Sequence, residues 1–391
     1  MDRGQRALLK ELSEIPGAPG SEGAVREAIE RHVRGLAEIS TDRLGSIICA
    51  KKGTADSPRV MLPGHMDEIG FMVSAITKDG FLKFAPMGGW WTQVMLAQKV
   101  RVETVKGPVV GVTCSVPPHV LPKEEREKPV AIEKMAIDVG ASSAKEATET
   151  FGIRPGDPVT PVFAMEVMAN RKMLLGKAWD DRVGVALFID AIRRLQGVKH
   201  PNTLYGVGTV QEEVGLRGAR TSAHVVNPDV CIVLEVGIAD DVPGVKAEEK
   251  MGRLGGGTQI TVADHGMIPN RKLRDLAVET AKKHKIPVQF QLLMGGATDG
   301  GAVHVHLTGV PTLYLGVPSG TSTRTRESST PTTTTTRSRC SSNSSNVSTR
   351  RRSGRSRREP GVVTRPPRRR GRRVCGRGRR GGTCAGGWIG A

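Results

Sequence analysis

Val60-Met61-Leu62-Pro63-Gly64-His65-Met66-Asp67-Glu68-Ile69-Gly70-Phe71-Met72-Val73 sets a histidine and an acid between two apolar runs. A histidine and a carboxylate two positions apart at the mouth of a strand suit a metal centre, one side chain binding the ion and the other orienting or charging the site. Further acids follow at the ends of similar apolar segments. Asp180-Asp181 lies in Ala178-Trp179-Asp180-Asp181-Arg182-Val183-Gly184, Glu212-Glu213 follows the run Thr203 to Val210, and Glu235 follows Val230 to Leu234. One histidine and at least four acids at strand ends form the inventory of a two-metal hydrolase, in which paired ions clamp a water and the reacting oxygens.

Working outward, helix and strand signals alternate. Leu8, Leu9, Leu12 and Ile15 mark an amphipathic helix that Pro16-Gly17 stops, and Ala24, Ile29, Val33 and Leu36 mark a second, with Ser21 as its expected N-cap. Strands are expected at 46–50 and 59–63. From 69 to about 170 the texture changes to short alternating segments with Gly and Pro turns, including two strands joined at Lys106-Gly107-Pro108 and one helical stretch around Ser143 to Phe151. The α/β pattern then resumes with helix 183–195, strands 203–210 and 230–236, helix 271–284, and strands 287–293 and 311–316. The expected fold is a mainly parallel central sheet flanked by helices, formed by residues 1–68 and 170–318, with a small β-barrel-like domain inserted at 69–169. Ligands of such sheets bind beyond the carboxyl ends of the strands, where the acids fall.

Charge divides the chain at Pro318. Nineteen of the 58 basic residues and two of the 39 acidic ones lie after it, so residues 1–318 carry 39 basic against 37 acidic side chains. Of the overall charge of +19, +17 therefore belongs to residues 319–391, an Arg/Ser/Thr/Gly-rich stretch expected to be disordered. No apolar run approaches the roughly 20 residues of a membrane span. The N-terminus lacks an apolar leader, and Cys49, Cys114 and Cys231 have no CxxC spacing. A reduced cytoplasmic enzyme is expected.

Gly64-His65-Met66-Asp67-Glu68-Ile69-Gly70, Pro117-Pro118-His119, Trp179-Asp180-Asp181-Arg182-Val183-Gly184 and Gln211-Glu212-Glu213-Val214-Gly215 resemble, in order and spacing, the tetrahedral (TET) or glutamyl aminopeptidases. These are dinuclear metallopeptidases of zinc-peptidase-like fold, some labelled endoglucanases. The resemblance runs from about residue 5 to Pro318. It implies two divalent ions per subunit, zinc or cobalt, with His65 as ligand of one, Asp180 bridging both, and Glu213 and Glu235 completing the shells. It also implies Glu212 as general base and Asp67 as the carboxylate that orients the histidine. Peptide substrates are implied, with dimers formed through the inserted domain and joined into a dodecamer. No membrane or specific nucleic-acid partner is implied. The Gly295-Gly296-Ala297-Thr298-Asp299 loop sits where the family builds part of its substrate pocket.

Plainer readings cover other residues. Asp181 is expected to partner Arg182, Asp240 and Asp241 to be loop residues, and Trp90-Trp91 to stabilise the inserted domain. His119 suits a turn or an oligomer contact as well as a site role, and His304 and His306 alternate on an expected strand. A glycan hydrolase, which needs two carboxylates and no metal, is the alternative chemistry. The basic tail taken alone would bind polyanions non-specifically.

After Gly316-Val317-Pro318 the family continues with a basic-aromatic-apolar-His-Ser segment whose histidine binds the second ion. Here Ser319-Gly320-Thr321-Ser322-Thr323-Arg324-Thr325-Arg326 stands instead. Read one base earlier, residues 320–325 can encode Arg-Tyr-Ile-His-Ser-His, and Ser341-Ser342-Asn343-Ser344-Ser345-Asn346 becomes an apolar-apolar-polar repeat. Residues from about 319 onward are therefore expected to be a frameshifted translation that has lost a metal-binding histidine near Thr323.

Overall fold

The computed structural model describes residues 1–320 and the backbone of 324–326. Helix α1 (Arg3–Glu14) opens in a capping box: the Asp2 carboxylate accepts the Gln5 N–H, and the Gln5 side chain accepts the Asp2 N–H. Its buried face is Leu8, Leu9 and Leu12. Helix α2 (Gly23–Val33) starts one residue later than expected. Glu22 precedes it, and Ser21 instead donates its N–H to Ala18 O, so Ser21 is not the cap.

Strands β1 (Glu38–Thr41), β2 (Ile47–Lys51) and β3 (Arg59–His65) then lead into a closed barrel. The barrel consists of β4 (Gly70–Ile76), β5 (Leu82–Met87), β6 (Lys99–Thr104), β7 (Gly107–Cys114), β8 (Ala136–Asp138) and β9 (Pro158–Pro161), in the order β4-β5-β8-β7-β6-β9. A single-turn α3 (Lys123–Arg126) lies between β7 and β8, and the expected helix near 143–151 is a short π-helix, Glu146–Thr150. Phe71, Val73, Leu82, Phe84, Val100, Val102, Ile137 and Val159 fill the barrel. Trp90 stacks on Phe71 at 4.5 Å and donates its indole N–H to Gly70 O, whereas Trp91 is 63% exposed.

After β10 (Glu166–Val167) and β11 (Met173–Leu175) come α4 (Trp179–Arg194), β12 (Thr203–Thr209), α5 (Arg217–Val226) and β13 (Val230–Ala239). They are followed by β14 (Thr258–Asp264), α6 (Arg271–Lys283), β15 (Val288–Leu293), α7 (Asp299–Val303), β16 (Thr312–Gly320) and β17 (Arg324–Arg326). The centre of the sheet is the parallel set β12-β3-β13-β16. Antiparallel β2 and β1 extend one side, β17, β11 and β10 the other, and β14 pairs with both β15 and β16.

Burial on both faces explains the near-continuous apolar runs of the central strands. Successive side chains alternate between two cores. Ile47, Cys49, Val60, Leu62, Ile232, Leu234, Leu313 and Leu315 face α1, α2, α4 and α6, while Ile48, Met61, Cys231, Val233 and Tyr314 face α5 and α7.

Two expectations are corrected. His304 and His306 do not lie on a strand; they follow the short helix α7, whose small residues Gly300 and Ala302 pack closely against the neighbouring core. The disorder expected from 319 does not begin there. Strand β16 runs through Gly320, paired with Ala239 of β13, and 324–326 pair with both β16 and β11. Sheet extension uses main-chain donors and acceptors, which every non-proline residue carries. The rest of that expectation, on 321–323 and 327–391, lies outside the described residues. Among the described residues no helix is long and apolar enough to cross a membrane.

Candidate metal centre

The parallel strands present their carboxyl ends at one edge of the sheet. His65 ends β3 opposite Thr209 at the end of β12, and Glu235 lies in β13 opposite Gly316. Helix α4 packs on β3 and β13 and brings Asp180 to the same edge. Its approach requires a glycine, because a Cβ on Gly184 would sit 2.3 Å from Leu234 O and 2.2 Å from an Asp181 carboxylate oxygen.

His65 is 1% exposed. Its Nδ1–H donates to Asp67 O at 3.0 Å, and because a carbonyl only accepts, the tautomer is set and Nε2 is the atom turned to the acids. Nε2 lies 2.8 Å from Asp180 Oδ1, 3.7 Å from Glu235 Oε2 and 3.9 Å from Glu212 Oε2. Donor atoms of His65, Asp180 and Glu235 all fall within 4.8 Å of one another. Glu213 is not in that group: its side chain rests beside Gly88 and Ile69 at the barrel's edge.

Asp67 meets His65 Nδ1 twice, with its main-chain carbonyl at 3.0 Å and its carboxylate at 3.5 Å, and the same carboxylate accepts the Glu212 N–H (3.0 Å) and the Glu213 N–H (3.1 Å). Glu22 Oε1 accepts the Gln211 N–H at 3.0 Å, so the turn carrying both glutamates hangs between two buried carboxylates.

Asp181 departs from expectation. It does not pair with Arg182; its carboxylate is fully buried and accepts the His65 N–H at 3.2 Å and the Gly184 N–H at 2.8 Å. Sequence reasoning gave no role to Glu68 or Lys177, and named Asp299 only as the end of a loop expected at the substrate pocket. The cations at positions 177 and 182, bracketing the acid pair, were the available signal for the first two. Asp299 is 1% exposed; Oδ2 accepts the Thr209 hydroxyl at 2.5 Å and Oδ1 has no hydrogen-bond partner. Asp240 and Asp241 hold loop amides of Met251, Gly252 and Leu254, as loop residues would. His119 sits exposed in a short turn, His304 Nδ1–H donates to Gly300 O, and His306 meets His224 edge to face at 5.7 Å. The position near Thr323 lies outside the described residues.

The electrostatics of the edge are one-sided. Burial disfavours the His65 imidazolium, but Glu235, Glu212, Asp180 and Asp67 outweigh it and hold the ring's pKa well above its ordinary value. Burial, reinforced by neighbouring carboxylates, pushes Glu212 and Glu235 well above the carboxylate range and Glu213 and Asp181 to about 8. Asp299 is pushed to about 6, chiefly by burial. Protons thus offset a surplus of buried negative charge that one histidine does not neutralise. A divalent cation supplies that missing charge, and one imidazole nitrogen with several carboxylate oxygens is a donor set that zinc-type ions accept. The residues present fit a divalent metal.

The family model described as M42 glutamyl aminopeptidase matches residues 45–326. The glutamyl aminopeptidase of Lactococcus lactis is 36% identical over 313 residues, 79% of this chain and 86% of that one. A TET aminopeptidase from a marine-sediment Thaumarchaeota archaeon superposes with a TM-score of 0.84 at 42% identity, covering 88% of this chain and 96% of that one. The TET1 peptidase of Pyrococcus horikoshii, described as assembling into a tetrahedron or a large octahedral shell, has a TM-score of 0.73 at 30% identity, covering 82% and 94%.

Proposed function

The chain belongs to the M42 glutamyl aminopeptidase family and is a metalloaminopeptidase, and on that premise we propose that it removes N-terminal residues from peptides with two divalent ions per subunit. His65, Asp180, Glu213 and Glu235 are the proposed protein ligands, with Asp180 shared between the ions. The observation that carries this reading is the convergence of His65, Asp180 and Glu235 donor atoms within 4.8 Å in an edge otherwise crowded with carboxylates. When bound, such ions polarise the scissile carbonyl and lower the pKa of a coordinated water from ~15.7 toward ~7.

The protein's own groups do the rest. Asp67 and Glu22 fix the 211–213 turn, so Glu212 reaches the site with its carboxylate 3.9 Å from His65 Nε2 while Glu213 turns toward the barrel. Glu212 is the proposed general base, taking the proton of the attacking water and returning it to the leaving amine. In the frame-restored chain Glu212→Gln removes the base and no ligand, so hydrolysis of aminoacyl chromogenic substrates should be lost with bound metal retained. Equal loss of metal in that variant would exchange the roles of Glu212 and Glu213.

Two further parts rest on the same premise. The barrel segment 69–169 is proposed as a dimer contact in a dodecamer, a reading supported by the assembly of the P. horikoshii relative and by exposed apolar side chains such as Val105, Val110 and Val120 on this segment. A monomer in light scattering of the frame-restored protein under all metal conditions would refute it. The stretch from about 319 is read as frameshifted, supported by the 19 arginines crowded after Pro318. The 391-residue form should then bind one tight ion and hydrolyse peptides poorly. Gene sequence across codons 315–325 and metal analysis of the purified chain test this; two tight ions with normal turnover would overturn it.

A further inference from the structure

Two cations bracket the Asp180-Asp181 pair in the chain, Lys177 three residues before Asp180 and Arg182 directly after Asp181. Both are buried, at 7% and 0% exposure, yet neither hydrogen-bonds to the acids between them. Both turn back to Glu68, itself 2% exposed. Lys177 Nζ donates to both Glu68 carboxylate oxygens, at 2.5 and 2.7 Å, and Arg182 Nη2 lies 3.6 Å from Glu68 Oε1.

The other ends of this cluster are tied to α1. Arg182 Nη1 donates to Leu12 O (2.6 Å) and Ile15 O (2.9 Å) in the carbonyl-rich last turn of the helix, where a cation is favoured. Ser13 Oγ donates to Lys177 O at 2.6 Å, and the Glu68 N–H donates to Gly17 O at 2.9 Å. Both residues that flank the acid pair are thus held at the main chain or guanidinium by α1, and on the inner side by the one carboxylate of Glu68.

We propose that Glu68 is a positioning residue of the metal centre: it draws the two bracketing cations away from Asp180 and so leaves that carboxylate to a divalent ion. This rests on the metal-centre reading above. A buried ammonium without an anion is costly, and Lys177 has a flexible four-carbon stem. Without Glu68 the anions open to it are Glu14, which lines the same small cavity, and the acids of its own segment, of which Asp180 lies three residues on. A lysine paired there occupies the oxygen that a metal needs and adds a positive charge that repels the ion.

The test is Co2+ titration of the full-length metal-free chain, followed by the visible absorption of the bound ion, with the melting temperature of each metal-free variant recorded in parallel. Glu68→Gln keeps the side chain's size and removes its charge; Co2+ affinity should fall about 10–100-fold, the range for partners that orient metal ligands. Adding Lys177→Met to Glu68→Gln should recover most of that loss, because the unpaired cation is gone. A Glu68→Gln chain that titrates like the native one overturns the proposal, and so does a double variant no better than the single. Should Glu68→Gln not fold, Lys177→Met alone decides: Co2+ affinity within about threefold of native supports the proposal, and a tenfold loss overturns it. A native chain that takes up no Co2+ would remove the metal-centre reading itself, a result distinct from native binding with an unaffected Glu68→Gln.

Discussion

Two ionic clusters lie back to back across the four residues His65 to Glu68. On one side the Glu68 carboxylate meets two cations, Lys177 and Arg182, with α1 carbonyls accepting from the surplus guanidinium, and the cluster is closed: exposure does not exceed 7% for any of the three. On the other side His65 faces Asp180, Glu212 and Glu235, with Glu213 nearby, and Asp180's side chain is 58% exposed. The chain alternates between them, His65 and Asp67 serving the open cluster and Glu68 the closed one. A surplus cation shared among helix carbonyls and one buried carboxylate makes a scaffold; surplus negative charge at an opening makes a site that acquires a cation. Burial lowers the pKa of Lys177 and Arg182 in the closed cluster, whereas at the open edge burial and neighbouring carboxylates push Glu212, Glu213 and Glu235 up, toward the protonated form that a cation would replace.

The comparison breaks most sharply at Glu212. Replacing it with Gln in the frame-restored chain should lower kcat by about 10²–10⁴-fold, the usual range for a general base, with no drop in metal content by atomic absorption. His65→Ala and Asp180→Ala should instead lower metal content as well as turnover. On the closed side Arg182→Leu strips Leu12 O and Ile15 O of a donor and Glu68 of a neighbour. It should cost about 3–5 kcal/mol in denaturant unfolding of the metal-free chain, because a buried network loses one partner.

The pH dependence sharpens the contrast further. Glu213 and Asp181 rise to about 8 in the folded protein, and His65 is raised as well. The folded state thus holds more protons than the unfolded one between the ordinary carboxylate range and about 8, so their stabilising contribution is present at acid pH and lost as pH rises through that window. The metal-free chain should melt at progressively lower temperature from about pH 5 to about pH 8, and added Co2+ should flatten that slope by replacing protons. A melting temperature that climbs through the window would refute the picture of a charge-starved edge. The smallest effect is expected at Ser13→Ala, which leaves the Lys177 carbonyl without its hydroxyl and should cost about 1–3 kcal/mol with metal affinity unchanged.

The long periodic elements were legible because their burial is simple. The strands at 203–209 and 288–293 and the helices at 3–14 and 271–283 fall within a residue or two of their apolar patterns. Helix α5 and strand β14 were not foreseen. Helix α5 is built on small residues, Ala219 and Ala223, whose weak apolar signal becomes helical burial only against Met61 and Val233, and β14 puts Gln259 and Thr261 into the interior. His304 and His306 read as a strand by alternation, although Thr298-Asp299-Gly300 starts a helical turn there instead.

From the order of residues alone came the parallel α/β architecture, the interrupting β-rich segment, and the set His65, Asp67, Asp180, Glu212, Glu213 and Glu235 at strand ends. These follow from local rules: apolar period, turn residues, and acids placed after buried runs. Only the tertiary structure decided which partner each charged side chain takes. Asp181 turns to backbone amides rather than to its neighbour Arg182, Glu68 collects two cations from a segment more than a hundred residues away, and Asp67 holds the glutamate turn. Pairing of buried charge depends on distance and desolvation in the folded interior, and sequence separation carries neither.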